Sequence, residues 1–578
     1  PRSGVTGRLR CRAAVLSTQL DATSPSCYPG PMGGPPGTDG ERRAKLLDGA
    51  SVALFAGLVA LALVTFPDYG TSWDEDVHIR YGDDILAYFQ AGMAESAVPD
   101  HHQFYGGGYN LGAALFSHLV PHPRHTANHL FTALLGLIGL MGAWRLGRLL
   151  GGAGAGLFAL VLLAALPAYY GHMFNNPKDL PFAVGYVWVL YYLCRLIQAG
   201  PKAPPTLLVA LAVALGLAMM VRIGGLLGLG YLAVVMALQW VSFWRQDRRA
   251  QPALRLLGGL TLRGLLVAAA AWVLMILPWP ATHRAPLTAP LESLSRVSDH
   301  AFATRTLLRG RYVPSNPPPW DYLPSYLMVQ LPDVLWLLLG IGALALVGCL
   351  AKPSGRSALR SWRGGALSLL AFAIVFPMTY AVLRGSTVYD GLRHFLFVLP
   401  PLCVLAAVAG VKVLEWLGER SRRFASALLA LLVFGIAMVV VDMVELHPYQ
   451  YVYFNRMSGG LPAAANQYET EYYAHSFKEL GDALADHLWR TEPDRYLNED
   501  YQILGCGIMD YLLAPHVPAN FSVAREPPLL WRPHDYEFYA AYRRLGCNER
   551  RTDLPRVVAV ERQGVVLNVM RDMRSESE

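Results

Sequence analysis

The stretch Ser72-Trp73-Asp74-Glu75-Asp76-Val77-His78 follows a run of apolar residues and gathers three acids. Carboxylates in such a place have two readings: a base for an attacking hydroxyl or amine, or a solvated turn that caps a helix. A second polar stretch, His172-Met173-Phe174-Asn175-Asn176-Pro177-Lys178-Asp179-Leu180-Pro181, sets an ammonium beside a carboxylate between two further apolar runs. Lys178 could hold a phosphate and Asp179 could orient a neighbouring donor; equally, the two could be an interfacial pair that caps the next helix. The third stretch, Arg384-Gly-Ser-Thr-Val-Tyr389-Asp-Gly-Leu-Arg393-His394, carries two arginines. Guanidinium forks suit phosphate, which makes Arg393 the leading candidate for gripping one, with Arg222 in Val221-Arg222-Ile223-Gly224-Gly225 a second. The alternative for both is snorkelling to an interface. His78, Asn176, Tyr389 and His394 stand close enough in sequence to join such a site. Trp320, in the stiff run Asn316-Pro-Pro-Pro-Trp320-Asp-Tyr322, could form a sugar-stacking wall or belong to an interfacial aromatic belt.

The elements that position these residues are membrane helices. Hydrophobic residues make up 53% of the chain and charged ones 16%, the mean hydropathy is +0.30, and the apolar residues come in runs of about 17 to 25, the length a bilayer requires. About eleven spans are predicted, near Gly49–Phe66, Ala127–Trp144, Gly151–Tyr170, Leu180–Ile197, Thr206–Val221, Gly225–Phe243, Gly264–Trp279, Val334–Leu350, Ala366–Leu383, Phe395–Val411 and Phe424–Val441. Backbone groups in lipid must pair within their own segment, so the spans are helices.

Arg and Lys cluster before the first span and after the second, fourth, sixth, eighth and tenth: Arg42, Arg43 and Lys45, then Arg145 and Arg148, Arg195 and Lys202, Arg245 to Arg255, Lys352 to Arg363, and Lys412 to Arg423. The positive-inside rule puts these loops and the amino-terminal side in the cytoplasm and the end of the chain outside. The clusters account for the net charge of +7 without nucleic acid, and they would attract anionic lipid head groups. The three polar stretches all fall on the opposite, outer face.

Residues 1–45 are expected to be a disordered cytoplasmic tail, rich in Pro and Gly and lacking a secretory signal pattern; the first span is expected to serve as an uncleaved anchor. Residues 46–445 read as the transmembrane domain and 446–578 as an outer α/β domain. In the latter, Ser476–Trp489 has Phe477, Leu480, Leu484 and Leu488 at helical spacing, and Val557–Val560 with Val565–Val569 reads as a hairpin around Gln563-Gly564. In the first outer loop, Val77–Gln90 reads as an amphipathic surface helix. Cys506 and Cys547 lie in the outer domain, where an oxidising compartment permits a disulfide. No metal-ligand spacing appears; a divalent ion is compatible with the sequence, but nothing indicates one, and no cofactor is required.

Trp73-Asp74-Glu75 after the first span, Asn176-Pro-Lys178-Asp179-Leu-Pro-Phe182 before the fourth, and Leu392-Arg393-His394-Phe-Leu-Phe-Val-Leu-Pro-Pro401 before the tenth resemble the GT-C membrane glycosyltransferases. The branch they are most similar to is the bacterial part of the protein O-mannosyltransferase superfamily, relatives of the lipid A aminoarabinose transferases. The similarity runs from about Gly49 to Lys478 and includes His447–Asn455 and Tyr468–Tyr473. The resemblance implies a mainly α, polytopic GT-C bundle with a C-terminal periplasmic domain in the bacterial inner membrane. It implies inverting transfer of a hexosyl or pentosyl group from a polyprenyl-phosphate donor to a protein, lipid or glycan acceptor at the periplasmic face. Asp74 inherits the catalytic carboxylate, with Glu75 beside it and Asp179 near the reacting centre; Arg393 inherits a phosphate contact, with Lys178, His394 and Arg222 as further candidates. His78 comes three residues after Glu75 where relatives often have a basic residue or His at two, so a shifted match on Glu75 and Asp76 stays open. A transporter or flippase of a lipid-linked sugar is the alternative, disfavoured because the polar residues collect at one face and no internal repeat is evident. A hydrolase and a non-catalytic lipid-sugar binding subunit also stay open, as do the identities of sugar and acceptor.

Overall fold

Among the described residues, eleven apolar helices build the main body of the fold. They are α1 (Thr38–Thr65), α2 (Arg124–Gly151), α3 (Ala153–Ala164), α4 (Asp179–Ala199), α5 (Pro205–Met219), α6 (Leu226–Gln246), α7 (Ala250–Ile276), α8 (Asp333–Leu350), α9 (Trp362–Arg384), α10 (Leu399–Arg420) and α11 (Arg422–Glu445). The computed structural model describes residues 38–94, 98, 105–246, 248–298, 304–506, 510–525 and 536–574. Among these, nine helices are long and apolar enough to cross a membrane, whereas α3 and α5, at 12 and 15 residues, are shorter. The third predicted span is broken because the apolar run continues through Pro167, which starts a separate short helix, Pro167–His172. The chain is thus a multi-pass membrane protein. The predicted disordered tail falls largely outside the described residues; where described, from Thr38, the chain is already helical, because no Gly-Pro cluster interrupts it there. Contacts divide the chain between Arg43 and Ala44, with residues 44–578 forming one compact unit.

The buried middle of the bundle is built by α2, α4 and α10, which pack on one another and on α3, α5 and α8. Without a hydrophobic force to drive helices together in lipid, close approach by small residues replaces it. A Cβ on Gly139 of α2 would lie 2.1 Å from the Tyr169 hydroxyl, and that hydroxyl donates to the Gly136 carbonyl at 2.9 Å. Peripheral helices leave large apolar side chains exposed, such as Val64, Leu265, Leu344 and Phe434, as acyl chains would cover them.

The polar connections at one end carry their own structure. The predicted surface helix is Glu75–Gln90, burying Tyr81, Ile85 and Tyr88, and it packs on Gly108–Ser117. The long loop before α8 contains an antiparallel hairpin, β1 (Arg305–Leu308) with β2 (Arg311–Pro314), turning through Arg309 and Gly310, both at positive φ. After α11 the chain forms an α/β part with a five-stranded sheet ordered β4-β3-β5-β7-β6. Its strands are β3 (Tyr501–Gly505), β4 (Phe521–Arg525), β5 (Phe538–Tyr542), β6 (Arg556–Arg562) and β7 (Val565–Asp572). The parallel pairs are β3 with β4 and with β5; the antiparallel pairs are β5 with β7 and β6 with β7. The β6–β7 turn is Gln563-Gly564, both at positive φ, the conformation a two-residue hairpin favours. Helix Ser476–Thr491 buries Phe477, Leu480, Leu484 and Leu488 against β6 and β7. Cys506 and Cys547 are joined by a disulfide, Cα to Cα 5.9 Å.

Candidate functional site

The acidic turn after α1 splits its two leading carboxylates between different tasks. Glu75 folds back to accept from the Ser72 amide at 2.5 Å, and its other oxygen lies 2.7 Å from His129 Nε2 with both side chains buried. Asp74, one position earlier and so about 100° away around the incipient helix, makes no capping hydrogen bond with its side chain. Its carboxylate reaches Arg393 Nη1 at 2.9 Å and has Lys178 Nζ at 3.8 Å. Glu75 therefore does not stand beside Asp74 in the cluster as expected; it anchors the turn. Asp76 is drawn off in the other direction, into an exposed pair with Arg80.

At the start of α4, Asn176 acts as the cap. Its Oδ1 accepts from the amides of Lys178 (3.2 Å) and Asp179 (2.7 Å), satisfying donors that a helix N-terminus leaves unpaired. Its Nδ2 donates to Asp179 Oδ2 at 3.1 Å. Asp179 is buried and pairs with Arg222 Nη2 at 2.5 Å, with Arg393 Nη1 at 3.8 Å. Arg222 comes from the short connection between α5 and α6, so topology brings four separate loops to one place.

Arg393, at the head of the turn leading into α10, is the hub. Its Nη2 pairs with Asp390 at 3.0 Å, its Nη1 lies 3.3 Å from the Tyr473 hydroxyl, and its guanidinium is 4.9 and 5.3 Å from the ring centroids of Tyr389 and Tyr473. Tyr389 in turn meets His394 edge-on at 4.7 Å. Asp390 and Gly391 both have positive φ, and this kink is pinned: the Tyr322 hydroxyl accepts from the Gly391 amide at 3.0 Å, and Gln330 Oε1 accepts from the Leu392 amide at 3.2 Å.

The α/β part completes the cluster. Arg544 Nη2 pairs with the far oxygen of Asp390 at 2.8 Å, and its Nη1 donates to the Tyr472 carbonyl at 2.8 Å. Tyr472 and His172 Nε2 lie 3.0 Å apart, as do Asn175 Nδ2 and His475 Nδ1 at 2.9 Å, so the segment after α11 is stitched to the loop before α4.

Four cations, Lys178, Arg222, Arg393 and Arg544, thus surround three carboxylates, Asp74, Asp179 and Asp390. The Asp179 and Asp390 side chains are each 2% exposed, but Asp74 is 27% exposed. Burial opposes charge on Asp74, yet Lys178 and Arg393 outweigh it and hold this carboxyl well below the usual range. Lys178, penalised by burial, is kept protonated by Asp74. Among the described residues, the buried Nε atoms of Arg222 and Arg393 have no hydrogen-bond partner. Such a site can take an oxyanion beside an ionised carboxylate. Among the described residues no group of three or more His, Cys, Asp or Glu side chains is placed to hold a metal ion.

Asp74, Asn176, Lys178, Asp179, Arg222, Tyr389, Arg393 and His394 are therefore gathered. His78 is buried one turn along from Asp74, with its Nδ1 2.9 Å from Asn110 Nδ2. Trp320 is not gathered: its side chain is 74% exposed, because the proline run holds it outward while Tyr322, two residues on, turns in to the Asp390 loop. The sequence reading missed Asp390, Tyr473 and Arg544. Asp390 had a signal, standing before Gly391 within a stretch already singled out. Arg544 had none, since it stands beside a second arginine, Arg543, just after the strand Phe538–Tyr542, and nothing local marks which of the two turns toward Asp390.

Residues 109–274 match the family described as dolichyl-phosphate-mannose-protein mannosyltransferase, in agreement with the resemblance to the GT-C glycosyltransferases. No curated protein sequence matches the chain. Among solved structures, ArnT from Cupriavidus metallidurans bound to undecaprenyl phosphate is similar at 15% identity, covering 90% of this chain and 98% of that one, with a TM-score of 0.46. The arabinofuranosyltransferase AftD from Mycobacteria is similar at 14% identity, over 90% of this chain and 41% of that one, TM-score 0.39. The oligosaccharyltransferase AglB from Archaeoglobus fulgidus, in complex with an inhibitory peptide and a dolichol-phosphate, is similar at 12% identity, over 76% and 61%, TM-score 0.37. The structure is a membrane helical bundle with a C-terminal α/β part, and the match over residues 109–274 makes that stretch similar to a glycosyltransferase family.

Proposed function

We propose that the protein transfers a sugar, with inversion, from a polyprenyl-phosphate donor to an acceptor at the periplasmic face of a bacterial inner membrane, with Asp74 as the catalytic carboxylate. The observation that carries this reading is Asp74: of the three carboxylates in the cluster it is the one open to a substrate, and it is already paired with two cations. In the reaction the acceptor oxygen or nitrogen attacks the anomeric carbon, the bond from that carbon to the phosphate oxygen breaks, and the acceptor's proton passes to Asp74. The departing polyprenyl phosphate carries away the bonding pair, and Lys178, Arg222 and Arg393 stabilise its charge.

A carboxylate held so acidic is a poor base in the free protein. Donor binding answers this, because a phosphate engaging Lys178 and Arg393 offsets the charges that depress Asp74 and restores its basicity. Proton acceptance thus becomes efficient when a donor is present. With guanidinium and ammonium groups meeting the phosphate, the reading requires no metal. The outer-face assignment draws on the Lys and Arg clusters at the opposite helix ends and on the disulfide, which suits an oxidising compartment.

The test is reconstitution of the purified protein with a panel of polyprenyl-phosphate sugars and candidate acceptors, following the anomeric configuration of the product by NMR. Product of inverted configuration from one donor supports the reading. Movement of intact donor between leaflets without cleavage contradicts it and points to a flippase.

A further inference from the structure

Between β5 and β6 the chain makes a short 3-10 turn, Arg544–Glu549. The hydrogen-bond geometry of such turns is poor, so outside anchors decide where this one sends its side chains. Two anchors bracket its first half. The Arg543 amide donates to the Leu567 carbonyl of β7 at 3.1 Å. On the other side, Cys547 is joined by the disulfide to Cys506, whose amide donates to the Ala540 carbonyl of β5 at 3.0 Å. Both cysteines are buried. Gly546 lies between Arg544 and the disulfide at a φ of +70°, a left-handed kink that glycine adopts at little cost.

The side chain held between these anchors is Arg544, and it meets three segments of the Asp74 cluster at once. Its Nη2 pairs with Asp390 at 2.8 Å, on the oxygen that Arg393 leaves free. Its Nη1 donates to the Tyr472 carbonyl at 2.8 Å, next in the chain to Tyr473. Its guanidinium carbon is 5.9 Å from the ring centroid of Trp73, next in the chain to Asp74. The Arg544 and Asp390 side chains are 12% and 2% exposed. A buried ion pair is a weak source of net stability, whereas a planar fork with fixed donors imposes an orientation on what it holds.

We infer that Arg544 is a positioning residue for the transfer reaction, and that the Cys506–Cys547 disulfide keeps it in place. It acts through Asp390, whose carboxylate orients Arg393, and Arg393 in turn meets Asp74 and the departing phosphate. The α/β part thereby sets the geometry of the cluster without touching a reacting atom. The word "transfer" rests on the proposed function; the coupling of the disulfide and Arg544 to the Asp390 loop does not.

The experiment uses the full chain in nanodiscs, with steady-state consumption of a polyprenyl-phosphate sugar giving kcat and KM and amide hydrogen exchange followed over residues 388–393. Arg544→Gln is expected to lower kcat on the order of 100-fold, as an ångström of misplacement does, with little change in donor KM. Arg544→Lys, which keeps the charge on Asp390 but not the fork, regains part of it. Replacing Cys506 and Cys547 together with Ser lowers kcat less, roughly tenfold, because the Arg543 amide still anchors the turn. In an Arg544→Gln background the same replacement lowers kcat no further, since both changes act through one contact. Should the serine pair not fold, Cys506→Ala with Cys547→Val, which refills the apolar space, takes its place. Exchange over 388–393 speeds up in each variant. Wild-type kcat in Arg544→Gln, or losses that simply multiply in the combined variant, overturns the inference. Faster exchange in the variants of a protein that consumes no donor would fault the transferase reading and leave the coupling standing.

Discussion

Asp390→Asn probes how the cluster holds its hub. Asp390 is 2% exposed and accepts from Arg393 at 3.0 Å on one oxygen and from Arg544 at 2.8 Å on the other. The substitution leaves two buried guanidiniums facing each other with no charge between them, and breaking a buried pair in this way costs about 3–5 kcal/mol. Arg393 keeps Asp74, and Asp179 remains at 3.8 Å, so its charge is not orphaned, and the lower part of that range is expected. Activity suffers separately. With its Nη2 anchor gone, the guanidinium can shift by an ångström, and a misplacement of that size costs on the order of 100-fold in rate. Arg544→Gln in the same background removes the excess cation and should restore part of the stability, a coupling of about 1–3 kcal/mol in a double-mutant cycle, without restoring the rate. Denaturant unfolding of the detergent-solubilised protein reads the first quantity and single-turnover donor consumption the second. Wild-type rate in Asp390→Asn, or strictly additive stability losses in the double variant, would refute the reasoning.

Lys178→Met should raise the acid limb of the kcat/KM profile toward ordinary carboxylate pH, since Lys178 is the leading cation depressing Asp74; an unmoved limb would remove Asp74 from that limb. Glu469 is pushed by burial from 4.5 to about 7. A folded value above the unfolded one gives stability that is full below pH 4.5 and lost as pH rises through about 7, so Glu469→Gln, which keeps the acceptor for the Leu307 amide, should flatten that decline in unfolding curves. The Cys506–Cys547 disulfide closes a loop with a sequence separation of 41. Replacing both cysteines with Ser should lower unfolding stability by about 2–4 kcal/mol, and a loss below about 1 kcal/mol would mean the constraint matters little.

Asp74, Lys178, Asp179 and Arg393 were legible because charged residues at the mouths of apolar spans are costly and few, and the alternation of loops put them on one side. The Gln563-Gly564 hairpin was legible because its turn chemistry is local. Other features depend on what the fold brings near. Whether Asp74 or Glu75 faces the cluster turns on where a helix begins, and His129, which claims Glu75, lies on α2. Trp320 and Tyr322 carry the same kind of aromatic signal, and only the proline run's path decides which turns inward. Arg544 comes more than 150 residues after Asp390 in the chain, and nothing local marks the contact. The third span misled because hydropathy continues past Leu166 while the backbone breaks at Pro167.

The most direct measurement compares wild type with Asp74→Asn for consumption of a polyprenyl-phosphate sugar under single turnover, alongside donor binding to each. The account predicts that the variant folds and still binds donor, since Arg393 keeps Asp390 and Asp179 and Arg222 keeps Asp179, but consumes it at least 100-fold more slowly, as loss of a general base alone costs about 10²–10⁴-fold. Consumption at the wild-type rate by a folded, donor-binding Asp74→Asn protein would contradict it.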